Sequence, residues 1–190
     1  MTEVKTAELV MVDPIESSEL LNSIAETVSE VELEGEFIQG VIDRMLEIAS
    51  GKGHDEKDSR QVVGLAAPQV GISKRIILVD LTANGANQEQ NLIAIVNPVI
   101  SEKSRDLLDG REGCWSCGNV CGNVQRCQKV TLEGLDRSGK AVHMILEDFV
   151  ARIVQHEVDH LDGVRFPDRI PEDQPKRLHW VEHEQFNDYR

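Results

Sequence analysis

The sequence predicts an α+β fold in which mostly antiparallel sheets pack around one central helix, with a further helix at the C-terminus. Three observations carry that expectation. Apolar residues recur at helical spacing over 34–49, through Phe37, Ile38, Val41, Ile42, Met45, Leu46 and Ile48. Short apolar runs between 75 and 146 then read as strands, two of them joined by the turn Asp136-Arg137-Ser138-Gly139. Helical spacing returns over 147–161, through Val150, Ile153, Val154 and Leu161, with Gly163 as its stop. An order of helix, several strands and helix suggests α+β with mostly antiparallel pairing.

The elements follow in chain order. Leu20, Leu21, Ile24 and Val28 give a weak helical pattern over 17–28, after the turn signal Asp13-Pro14. The 34–49 helix packs on the core, and Gly40 weakens it locally. Residues 50–61 are polar, charged and glycine-containing, which predicts an exposed loop with a solvated His54. Small residues crowd Val62-Val63-Gly64-Leu65-Ala66-Ala67-Pro68-Gln69-Val70-Gly71, where a backbone can approach something closely and Gln69 is the one large polar side chain. Residues 75–80 and 92–100 are strands, with Asn97-Pro98 confining the end of the second to an edge or bulge. A polar connection over 82–90 carries an Asn84-Gly85 turn signal. Strands at 130–135 and 142–146 precede the central helix. In the tail, 169–190, apolar Leu178, Trp180, Val181 and Phe186 suggest a helix over 175–187. His179 and His183 are four apart there, but no Glu follows His179, so the tail reads as an ordinary charged helix.

Length and composition exclude several classes. A chain of 190 residues is one domain, 1–190, by the length prior, and its 40% hydrophobic and 28% charged content is that of a globular protein. A net charge of −14 disfavours broad contact with nucleic acid or an anionic membrane. No apolar run reaches the roughly 20 residues that span a bilayer. The first twelve residues carry Glu3 and Glu8 and no apolar core, which excludes a secretory signal. All four cysteines fall between Cys114 and Cys127, as thiols of a reducing compartment would. A cytoplasmic protein is expected.

The chemistry concentrates in Gln155-His156-Glu157-Val158-Asp159-His160. On a helix, His156 and His160 share one face and both imidazoles can bind one cation. Glu157 lies about 100° around the helix. It can border the metal without binding it, where a general base for an activated water belongs. A catalytic site normally has three protein ligands and one open position, so a third ligand is missing. A His-x-x-Gly-x-x-His continuation fails, because Phe166 stands at the last position. A downstream Glu182 or Glu184 fits a second-helix ligand poorly. A cysteine is the third choice, and Arg111-Glu112-Gly113-Cys114-Trp115-Ser116 offers one.

Three stretches taken together, Gly64-Leu65-Ala66-Ala67-Pro68-Gln69, Glu112-Gly113-Cys114-Trp115-Ser116 and Gln155–Gly163, resemble in order and spacing the three motifs of peptide deformylases. The similarity covers roughly 35–168 and includes Asn97-Pro98 and Ala151-Arg152. The resemblance implies that Cys114, His156 and His160 hold one divalent metal ion per chain. Ferrous iron comes first, with zinc, nickel or cobalt able to take its place. It further implies that Glu157 carries the proton, and that the Gln69 amide and the Trp115 backbone N–H stabilise the oxyanion. Val63, Gly64, Glu112, Phe149, Ile153 and His156 would wall the pocket for the formyl-methionine side chain. The implied reaction is removal of the formyl group from N-formylmethionyl peptides, at the ribosome, with another short N-acyl group as the alternative substrate; a monomer is expected. The stretch 168–190 is not basic, with four Lys/Arg against six Asp/Glu.

The chain departs from the family pattern in places. Val62 replaces the first glycine of the first motif, Trp115 replaces a leucine, and Cys117-Gly118 stands where an apolar residue and proline are usual. The 50–61 insertion is longer than usual and is expected to border the cleft. A competing reading gathers Cys114, Cys117, Cys121 and Cys127 around a structural zinc, in a binding module. It leaves the histidine helix unexplained. Otherwise Cys117, Cys121 and Cys127 are expected as small, buried or half-buried thiols.

Overall fold

The computed structural model describes residues 18–51, 61–84, 89–118, 120–174 and 177–180. Most of the 50–61 loop, with His54, lies outside them, as do the Gly85 turn position and His183.

A five-stranded sheet runs in the order β1 (Gly64–Ala66), β2 (Ile76–Asp80), β3 (Leu92–Lys103), β6 (Lys129–Leu135), β7 (Ala141–Glu147). A second sheet joins β4 (Leu107–Gly113), β5 (Val120–Cys127) and β8 (Leu178–Trp180). All strand pairs in both sheets are antiparallel. Among the described residues, four α-helices accompany them: α1 (Ser18–Leu21), α2 (Glu30–Glu34), α3 (Glu36–Ala49) and α4 (Asp148–Leu161). The α+β class and the central helix are as expected. Ile76 through Val79 are wholly buried because β2 lies inside the sheet with helices on both faces.

Helix α4 presents two kinds of buried face. Ile153, Val154, Val158 and Leu161 pack on Ile77, Val79, Ile95 and Leu132 of the large sheet. The opposite side meets the small sheet through polar groups. The Gln155 amide donates to Cys127 O at 2.9 Å and accepts from Cys127 N at 3.0 Å. Arg152 donates to Leu108 O at 2.7 Å and Val124 O at 2.9 Å. Such bonds knit helix to strand backbone where an apolar contact would slide. On the other face of the large sheet, α3 buries Ile38, Ile42, Met45 and Ile48.

Three sequence expectations are corrected. The 17–28 helix is one turn, Ser18–Leu21, followed by extended chain with Ile24 75% exposed. Tertiary partners take the backbone groups a helix would have used. Ala25 N donates to Leu161 O, Arg75 N to Glu26 O, and the Asn97 amide clasps both N and O of Val28. Asn97 does this from a bulge in β3, at φ 51, a left-handed geometry that Asn tolerates. The tail helix over 175–187 is instead strand β8 in its described part, because Leu178–Trp180 pairs with the edge of β5. Strands β4 and β5 of the second sheet were absent from the sequence expectation, as was β1.

Gly163 ends α4 at φ +71, and a Cβ there would lie 2.6 Å from Asn22 O. Gly163→Ala is therefore expected to lower stability by more than ~1–2 kcal/mol, the cost of the left-handed backbone alone. Gly40, in α3, faces open space, and Gly40→Ala should raise stability by about 0.5–1 kcal/mol. Urea midpoints at unchanged m-value check both.

Candidate active site

The chemical groups reach the site from three elements. Helix α4 supplies His156, Glu157 and His160 from adjoining positions, and their ring centroids place the two imidazoles 5.0 Å apart, edge to face. Cys114 caps a one-turn 3-10 helix (Trp115–Cys117) that links β4 to β5. Gln69 stands on another such turn (Ala67–Val70), which the preceding Ala66 N–H pins by donating to Gln69 Oε1 at 2.8 Å. That bond turns the amide nitrogen toward Cys114 Sγ, 3.4 Å away, and Ser116 Oγ, 3.3 Å away.

The donor atoms of Cys114, His156 and His160 all lie within 4.8 Å of one another. Cys114 Sγ is 3.2 Å from His160 Nε2. A tetrahedral ion with bonds of about 2.0–2.3 Å needs donors roughly 3.5 Å apart, so small adjustments would close this set on one ion. A thiolate with two imidazoles suits iron or zinc. The Cys114 thiol sits well below its ordinary pKa, chiefly through the neighbouring Cys117 thiol and against the effect of burial.

Every residue that the resemblance assigned to the site, except His160, lines one cavity of about 130 Å³. His160 lies beneath it, 1% exposed. Glu157 faces the cavity but is enclosed, and Oε2 has no hydrogen-bond partner among the described residues. Burial raises its pKa to about 7, outweighing the pull of His156 and His160. Gly64 explains the enclosure: a Cβ there would come within 2.4 Å of Glu157 Oε1 and 2.8 Å of Ile153 Cγ2. The bare backbone of β1 thus forms the wall against the carboxyl group.

Glu112 does more than wall a pocket. It accepts two bonds from Arg126 at 2.9 Å, one from Arg152 at 2.7 Å, and meets His156 Nδ1 at 3.0 Å. Burial alone would raise its pKa, yet Arg126 and His156 hold it well below the usual carboxylate range. Holding Nδ1 leaves His156 Nε2 for an ion, the usual arrangement behind a metal-bound imidazole. Asp159 extends the network by receiving both Arg126 and Arg169. Sequence reasoning missed Arg126, Asp159, Arg169 and Ser116. A signal for Arg126 existed: it falls in phase with Val120, Gly122 and Val124 on the inward face of β5.

The four-cysteine zinc reading fails on geometry. Cys121 and Cys127 lie six residues apart along β5, about 20 Å at strand rise. Among the described residues, only Cys114 joins a potential metal cluster.

The family model described as polypeptide deformylase matches residues 12–176. The chain belongs to that family. Relatives named peptide deformylase agree: one from Thermodesulfovibrio yellowstonii is 38% identical over 152 residues, 80% of this chain and 84% of the relative. Another, from Halothermothrix orenii, is 50% identical over 109 residues, 57% of this chain and 66% of the relative. A class I type b peptide deformylase from Acinetobacter baumannii, solved with Met-Ala-Ser bound, superposes at TM-score 0.69 with 38% identity, covering 80% of this chain and 92% of the other.

Replacing Glu112 tests its two roles, in stability and behind His156. Glu112→Ala strands two buried arginines and should cost about 3–5 kcal/mol, the usual effect of breaking a buried ion pair. It should also weaken metal binding about 10–100-fold, as loss of an outer-shell partner does. Chemical denaturation and competitive zinc titration read the two effects, and wild-type values in both would remove Glu112 from the site.

Proposed function

We propose that this chain hydrolyses the formamide of N-formylmethionyl peptides, releasing formate and a peptide with a free N-terminal methionine. The convergence of Cys114, His156 and His160 within 4.8 Å, with Glu157 facing the same cavity, carries this reading. Family membership supports it, and so does the Met-Ala-Ser peptide held by the Acinetobacter baumannii deformylase.

Cys114, His156 and His160 would hold one divalent metal ion, ferrous iron in the cell, with zinc, nickel or cobalt as replacements. When bound, the ion polarises the formyl oxygen and lowers the pKa of a water toward neutrality. Glu157, with a pKa raised by burial to about 7, is poised to accept that proton and deliver it to the leaving amine. The Gln69 amide N–H groups, fixed by the Ala66 bond, and the Trp115 backbone N–H would stabilise the oxyanion. Val63, Phe149 and Ile153 offer apolar walls for a flexible thioether side chain. The Gly64 N–H, on the free edge of β1, would pair with the peptide backbone as an added strand does. Glu112 holds His156 from behind while also edging the cavity.

No helix among the described residues is long and apolar enough to cross a membrane. We place the activity in the cytoplasm, in a single catalytic domain acting as a monomer on nascent chains. The 50–61 insertion would tune which peptides enter.

Formate release from a formyl-Met peptide by anaerobically prepared iron or nickel enzyme tests the reaction. Glu157→Ala should lower kcat by about 10²–10⁴ with metal content unchanged, and Gln69→Ala by about 10²–10³. Cys114→Ser should lose the metal itself. Release by wild type no faster than by Glu157→Ala would refute the function.

A further inference from the structure

The residue pair Cys114 and Cys117 is a C-x-x-C quartet closed by Trp115 and Ser116. The intervening turn is 3-10, and Cys117 N donates to Cys114 O at 3.0 Å. Cys114 is the extended N-cap of that turn, at φ −149 and ψ 137, and the i→i+3 bond it accepts keeps the two Cα atoms within about 7 Å. A disulfide spans Cα separations of roughly 4.4–6.8 Å. Both side chains pack into the same small apolar cluster. Of the other thiols, Cys121 is 1% exposed on β5, where it pairs with Gly113 and packs on Trp115, and Cys127 lies at the far end of that strand.

Cys114 lines the cavity, so a small oxidant can reach its sulfur, while Val120, Val124, Phe166 and Ile170 surround the pair with apolar bulk. We propose that Cys117 is a resolving cysteine, which converts peroxide oxidation of Cys114 into a reversible Cys114–Cys117 disulfide. The Cys114 sulfur attacks hydrogen peroxide. An S–O bond forms, the O–O bond breaks, and hydroxide leaves to become water, giving a sulfenic acid. The Cys117 sulfur then attacks the Cys114 sulfur. The S–S bond forms as the S–O bond breaks, and the departing hydroxide takes the Cys117 proton as a second water. Two thiols and one peroxide thus yield one disulfide and two waters.

The bridge removes the thiolate from the three-residue donor set, leaving two histidines, so metal retention falls together with disulfide formation. Reduction by a dithiol restores the set. Without Cys117, the sulfenic acid has no neighbouring thiol and proceeds to sulfinic or sulfonic acid, from which thiols do not return. Only the metal-release part rests on the ligand role of Cys114 proposed above.

The test uses the full-length protein loaded with zinc, which is itself redox-inert. Limiting hydrogen peroxide should release zinc to a chromogenic chelator as two thiols disappear. Peptide mass spectrometry should then show Cys114 bridged to Cys117, with Cys121 and Cys127 still free. Dithiothreitol should return both thiols and full zinc binding. In Cys117→Ser and Cys117→Ala, Cys114 should instead gain two or three oxygens, and zinc binding should stay lost after reduction. Over-oxidised Cys114 beside a free Cys117 in the wild type would overturn the inference. So would a bridge through Cys121 or Cys127, or equal recovery in all three proteins. Separately, reduced Cys114→Ser that binds zinc as tightly as wild type would sink the ligand role while the peptide map still decides the disulfide.

Discussion

A carboxylate with almost no access to water organises this molecule. Glu112, 6% exposed, is held by Arg126, Arg152 and His156, and each of those partners belongs to a different stretch of chain or a different turn of α4. Removing ions from water is costly, and the cost is recovered only if every bond is made. The small sheet must therefore sit in one register against α4. Gly110 is part of that fit, because any Cβ there would strike the Arg152 guanidinium. Apolar packing on the large sheet sets how tightly α4 is buried, and the ionic side sets where along the helix the small sheet docks.

Chemistry follows from that docking. Cys114 arrives at the end of β4, one strand position beyond the Glu112-Gly113 pair, so the register that satisfies Glu112 also delivers the thiol to the two histidines. Gln69 and Gly64 come from the opposite side, on the edge of the large sheet. The cavity thus forms where two sheets and one helix meet, and its components share no single element.

The parts legible in the sequence were those with a short period. His156, Glu157 and His160 declare themselves through helical spacing, and Phe166 argues against a third histidine. Asn97-Pro98 announces a bulge, although nothing in the spacing reveals that Asn97 clasps Val28. The small sheet was hidden because its strands do not look like strands. Leu107-Leu108-Asp109-Gly110-Arg111-Glu112-Gly113 carries two glycines and three charges without alternation. Gly110 makes room for the Arg152 guanidinium, a demand visible only in three dimensions. The extended course of 23–28 was hidden for a related reason, since its partners at Ser73, Asn97 and Leu161 are remote in sequence.

The bond from Ala25 N to Leu161 O has a consequence for how the chain is made. It joins the first described segment to the last turn of the last long helix, so the loop it closes contains nearly the whole structure. Contacts of such wide separation are slow to form, because chain entropy is lost before they repay it. During synthesis this bond must wait until α4 has left the ribosome, although Glu26 and Val28 can already meet Ser73, Arg75 and Asn97. That bond and the cluster of Cys114, His156 and His160 therefore form at the same late moment, and a chain truncated before α4 would lack both.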